Sequence, residues 1–141
     1  MPNTKAIKDK DFYSDWAVEH DFCQCCGIHR LKAQFERWPG LSTHHMVKPG
    51  RSDERCNLLR LCERCHACAE METRVDGKGQ KLPYLPLGVC LTIKQLREPE
   101  DVDLERLEYL YGQKLPVLEP YPQVYQDEFA YWRPWDIRET Q

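Results

Sequence analysis

The sequence lacks any run of roughly 18 apolar residues, so no membrane-spanning helix is expected. Met1 to Asp11 alternates Lys and Asp and has no apolar signal-peptide core, which points to a reducing cytoplasm. There is no internal repeat and no low-complexity tract. Nor is there an excess of positive charge. The net charge is −3, which speaks against a simple nucleic-acid coat protein. What remains is an ordinary soluble composition, 41% hydrophobic and 30% charged. A chain of 141 residues suits one domain with appendages.

The charge is unevenly spread. Residues 1–97 hold 16 Lys+Arg against 12 Asp+Glu, and residues 98–141 hold 4 against 11. The front of the chain can face phosphate, and the tail would be repelled by it. Eight cysteines stand out. In a reducing compartment, metal ligation is a better default for them than disulfides.

Phe12 to Asp21 reads as a short amphipathic helix with Ser14 or Asp11 as cap. Cys23 to Gly27 is a tight turn, and residues 28–40 are mixed, ending at Pro39-Gly40. Leu41 to Val47 and Cys56 to Leu61 read as strands around a polar loop, Lys48 to Arg55. Residues 62–73 read as a helix, broken by Asp76-Gly77. Gly88 to Ile93 looks strand-like. Asp103 to Tyr111 is a helix capped by Asp101 or Asp103 and ended by Gly112. The tail from Leu115 carries four prolines, together with Tyr121, Tyr125, Phe129, Tyr131, Trp132 and Trp135. Exposed aromatics in that number would harm solubility, so the tail is expected to wrap the core, with a protein-binding arm or dimer strap as the other reading.

Cys23-x-x-Cys26 and Cys62-x-x-Cys65 form two CxxC turns separated by 35 residues. Such turns place four thiolates at the corners of a tetrahedron, about 2.3 Å from a zinc ion. Gly27 suits the tight backbone of the first turn. Cys25 competes with Cys26, and Cys68 offers an alternative pair with Cys65. Cys56, Cys68 and Cys90 read as structural thiols. His20 and His29 read as surface residues.

Between the CxxC turns lie Ser42-Thr43-His44-His45-Met46-Val47, then Asn57-Leu58-Leu59, then Cys65-His66 with Glu70 four residues on. The segment His44–Glu70 resembles the HNH motif of the ββα-metal, or His-Me finger, nucleases. The flanking CxxC pairs resemble that family's zinc-stabilised branch. The likeness spans roughly residues 23–72. It implies an α+β fold. In it, a small ββα-metal core would be stapled by a four-cysteine zinc site, with an N-terminal helix and a C-terminal helix plus an extended aromatic and proline tail. Residues 1–80 would form the nuclease core, and residues 81–141 a packing extension.

The resemblance assigns His45 as general base, and a histidine's ordinary pKa of about 6.5 suits that task. Asn57 would orient the His45 ring without titrating. His44 and His66 would hold a catalytic divalent metal, and Glu70 stands where many relatives carry a further His. A carboxylate there favours Mg²⁺ or Mn²⁺, with Ni²⁺ and Zn²⁺ as alternatives. Glu70 as a plain solvated residue is the other reading. His44 and His45 are neighbours on a strand and face opposite ways unless a bend or bulge intervenes. Lys48, Arg51 and Arg55 are candidates for gripping DNA phosphates.

The implied activity is hydrolysis of DNA phosphodiesters, leaving 5′ phosphate and 3′ hydroxyl. The alternative is a zinc-stabilised DNA- or protein-binding module without cleavage. Small members of the family often serve phage or recombination assemblies.

Overall fold

The computed structural model describes residues 5–127. Helix α1 spans Lys10–Val18, and its cap is Asp9, whose carboxylate accepts from the Phe12 amide at 3.0 Å. It therefore starts before the expected Phe12, and Ser14 and Asp11 do not cap it. Trp16 is its buried residue. The first cysteine turn follows. The Cys23 amide donates to Ile28 O, and the Gly27 amide to Cys23 O, both at 2.9 Å. Gly27 has a φ of 89°, which glycine tolerates without strain.

Helix α2, Arg30–Glu36, lies in the stretch that reads as mixed in sequence. Leu31 and Phe35 are exposed, so the helix has no apolar stripe to announce it. His29 caps it by accepting from the Leu31 amide.

Strands β1, Leu41–His45, and β2, Leu58–Cys62, pair antiparallel. Leu41 faces Cys62, His44 faces Leu59 and His45 faces Leu58. β2 starts later than the expected Cys56 because Arg55–Asn57 form a 3-10 turn. Helix α3, Glu63–Ala69, leaves β2 without a loop. It ends short of the expected residue 73, with Glu70 at its C-cap and Met71 in the left-handed region (φ 63°). A ββα unit results, with β1, β2 and α3 in mutual contact.

The strand-like reading of Gly88–Ile93 is overturned, because that segment lies within helix α4, Leu87–Arg97. Val89 and Ile93 are buried one turn apart, as are Cys90 and Lys94. A short apolar run buried on most sides carries no period that separates strand from helix. Helix α5, Leu104–Tyr111, has Asp103 as cap and Gly112 (φ 81°) at its end, as the sequence indicates. Residues 115–121 then cross α4, and the crossing requires glycine. A Cβ on Gly88 would sit 2.5 Å from Val117 O.

A last turn, α6, covers Gln123–Asp127. Tyr121 and Tyr125 are buried in the core, with the Tyr121 hydroxyl donating to Cys25 O. The rest of the aromatic tail, Phe129, Tyr131, Trp132 and Trp135, falls outside the described residues. One hydrophobic cluster joins the cysteine turns and β2 to Leu85, Ile93, Leu107 and Leu110. Among the described residues, no helix is long and apolar enough to cross a membrane.

Candidate functional site

Among the described residues, two groups of side chains on or beside the ββα unit could hold a metal ion. In the first, the sulfurs of Cys23, Cys26, Cys62 and Cys65 all lie within 4.8 Å of one another, and all four residues are buried. Cys26 Sγ and Cys62 Sγ are 3.8 Å apart. Four ligands at about 2.3 Å around a tetrahedral ion have an edge of about 3.8 Å, so the cluster can hold a metal such as zinc. Cys25 and Cys68 stand outside it.

Burial opposes ionisation of Cys23, yet hydrogen bonds from Cys26, Cys62 and Cys65 draw it well below its ordinary value. Hydrogen bonds with Cys23 in turn hold Cys26 and Cys65 well above theirs. Arg37 stands beside the cluster, with Nη1 3.7 Å from Cys26 Sγ and 3.9 Å from Cys62 Sγ. A cation there offsets the negative charge of four thiolates around a divalent ion.

The second cluster is His44, His66 and Glu70. Strand alternation puts Ser42 and His44 on the face of β1 that looks at α3. The i, i+4 spacing puts Glu70 one turn from His66. Glu70 Oε1 lies 3.3 Å from His44 Nδ1 and 3.4 Å from His66 Nε2. His44 is 3% exposed, and its Nδ1 is buried without a hydrogen-bond partner despite that proximity. A buried polar atom left in this state is costly, and a cation between the three groups would satisfy it. The donor set therefore fits a divalent metal.

Burial, with Lys48 and His66 nearby, pushes His44 down to about 3, so its ring is neutral and free to ligate near neutral pH. Ser42 Oγ contacts His66 Nδ1 at 2.6 Å and turns Nε2 toward Glu70. Ser42 was not singled out by the sequence reading, although strand alternation with His44 carries the signal.

His45 lies on the other face of β1. The β1–β2 register runs without a bulge through His45, so the bend that would bring both histidines to one side is not formed. Its Nε2 lies 2.9 Å from Asp53 Oδ1, and its ring stacks on Tyr13 at 5.6 Å. Burial lowers its pKa, and Asp53 works against that shift. An open cleft beside it is lined by Lys8, Lys10, Tyr13, Ser14 and Asp53.

Asn57 does not meet His45. Its Oδ1 accepts from the Val47 amide at 2.7 Å, and its Nδ2 donates to Val47 O at 3.2 Å and Ser52 O at 3.1 Å. Asn57 thus closes the 46–57 connection, and Asp53 takes the ring-orienting position expected of Asn57. The sequence reading missed Asp53, which sits in an irregular loop with no periodic signal.

The basic residues are dispersed. Lys48 Nζ donates to Glu70 Oε1. Arg51 is exposed at a φ of 46°, and its carbonyl accepts from Lys8. Arg55 is exposed, 5.3 Å over the Phe12 ring. Arg64 is buried and Arg60 bonds Thr43 Oγ1. His20 is no surface residue, since it stacks on Trp16 and bonds Glu98 at 2.9 Å. The cleft over His66 is acidic, with Glu63, Glu70 and Glu72 against Arg74.

Comparison with family models, curated proteins and solved structures found no match to this chain, so the functional reading rests on its residues and their geometry.

Proposed function

We propose that the chain is an HNH-type, metal-dependent endonuclease that hydrolyses DNA phosphodiesters on a zinc-stapled ββα core. The observation that carries the reading is the convergence of His44, His66 and Glu70, whose ligand atoms all lie within 4.8 Å of one another, with His44 almost wholly buried. Cys23, Cys26, Cys62 and Cys65 hold the structural zinc. His44, His66 and Glu70 hold a catalytic ion, with Mg²⁺ or Mn²⁺ favoured by the carboxylate and Ni²⁺ or Zn²⁺ as alternatives. When bound, that ion neutralises the phosphate and stabilises the leaving 3′ oxygen.

His45 takes the proton of the attacking water. With Nε2 donating to Asp53, Nδ1 keeps the lone pair that accepts the proton. Asp53 fixes the ring and offsets the positive charge the ring then acquires. Lys48, Arg51 and Arg55, spread along the connection between β1 and β2, grip the DNA backbone. For His45 and the metal ligands to act on one phosphodiester, the phosphate must lie across the His45 end of β1.

A second reading draws on the opposed faces of His44 and His45: a zinc-framed DNA- or protein-binding module without cleavage. The test is incubation of supercoiled plasmid with zinc-loaded protein and Mg²⁺, Mn²⁺ or Ni²⁺, beside His45→Ala and His44→Ala. Nicking or linearisation by the wild type alone is expected. A folded wild type that cuts with none of these ions leaves the binding module standing.

A further inference from the structure

Glu70 Oε1 serves three neighbours at once: His44 Nδ1, His66 Nε2 and the Lys48 ammonium. Two of the three groups are ligands in the metal reading, on which this inference rests. The third is a fixed positive charge on the same oxygen. We propose that Lys48 competes with the divalent cation for Glu70, so that metal loading frees its ammonium for a substrate phosphate.

The placement supports the exchange. Lys48 follows β1 by three residues, at the mouth of the 46–57 connection, and its side chain is 43% exposed. It has water to move into, whereas His44 is walled in. A carboxylate shared with an ammonium is a weaker ligand, because its charge is already partly neutralised. A divalent ion against the same oxygen also meets repulsion from the lysine. That repulsion is softened, though not cancelled, by solvent at a half-exposed pair. Of the groups around the cluster, Lys48 is the cation that touches Glu70. Arg74, across the neighbouring cleft, is engaged with Glu63 and Glu72. Lys48 would thus act twice with opposite sign, against the metal when it is alone and for the phosphate once the metal is seated.

The test uses full-length protein with its four-cysteine site filled with zinc, titrated with Mn²⁺ in the absence of nucleic acid. Lys48→Met and Lys48→Gln are expected to bind Mn²⁺ roughly tenfold more tightly than the wild type, while Lys48→Arg, which keeps the charge, stays near it. Binding of a short DNA duplex, followed against salt, supplies the opposite arm. With Ca²⁺ present, Lys48→Met should release about one counterion fewer than wild type, and without divalent metal the two should match. Equal Mn²⁺ affinity in Lys48→Met, Lys48→Gln and wild type overturns the competition. Equal salt dependence in Ca²⁺ overturns the transfer to phosphate. His44→Ala separates the two layers: if it leaves Mn²⁺ binding intact, the metal reading falls, and this inference with it.

Discussion

Replacing Asn57 with Ala tests whether this residue holds the backbone or serves the chemistry. The side chain is fully buried and makes three hydrogen bonds to Val47 and Ser52, which are themselves buried. Water cannot replace those bonds without opening the connection. Each buried group left unpaired costs about 1–3 kcal/mol, so the expected loss for the three is about 3–9 kcal/mol. That is a large share of the roughly 5–15 kcal/mol of an ordinary domain. Asn57→Asp should do no better, because a carboxylate cannot donate to Val47 O and Ser52 O. The assay is urea unfolding of the zinc-loaded protein. With a slope of about 1–3 kcal/mol per molar urea, the midpoint should fall by at least about 1 M. A variant within about 1 kcal/mol of wild type that has lost cleavage would refute the reasoning and return Asn57 to the chemistry.

Other consequences are as direct. Cys62→Ser should lose one equivalent of zinc, measured by metal analysis, together with cooperative unfolding, whereas Cys68→Ser should keep its zinc. Gly88→Ala should destabilise by about 1–3 kcal/mol in the same urea assay, because its methyl meets Val117 O. Glu98→Gln should cost about 3 kcal/mol at neutral pH by removing the anionic partner of Lys94, a residue with no solvent exposure. Burial opposes ionisation of Glu98, but His20, Lys94 and Gln24 hold it down from 4.5 to about 2. Its contribution is therefore complete above the ordinary value and fades only as pH falls toward about 2. Adding Lys94→Met should recover part of the loss, and no recovery would rule out an unpaired ammonium as the cause.

The sequence made the hairpin, the two CxxC turns and the helix after β2 readable, because each carries a short-range signal. The Pro-Gly turn signals that bound the hairpin strands, fixed ligand spacing at the cysteines and the Asp103 and Gly112 caps of α5 are local facts. Helix α4 was not readable. Val89, Cys90, Leu91 and Ile93 are buried together, and an almost wholly buried segment loses the alternation that would reveal its period. Helix α2 hid for the opposite reason, since Leu31 and Phe35 are exposed. At the site, the motif paired His44 with His66 and left Glu70 open as a third ligand, and the structure brings the ligand atoms of all three within 4.8 Å of one another. It could not reveal that Asn57 turns to the backbone or that Asp53 takes His45. Those choices depend on the path of the 46–57 connection, which is settled by long-range bonds.

Those bonds reach the front of the chain. Ser52 Oγ accepts from the Ile7 amide, and the Asp53 amide donates to Ile7 O. The second oxygen of Asp53 accepts from the Asp9 amide at 2.9 Å, while its first holds His45. Arg106 on α5 ties Glu54 to the Lys5 carbonyl. The residues ahead of α1 therefore behave as a splint for the carboxylate behind His45. Trimming the chain to Lys10, or fusing a bulky partner close to Ile7, would disturb the alignment of that histidine while leaving every cysteine in place.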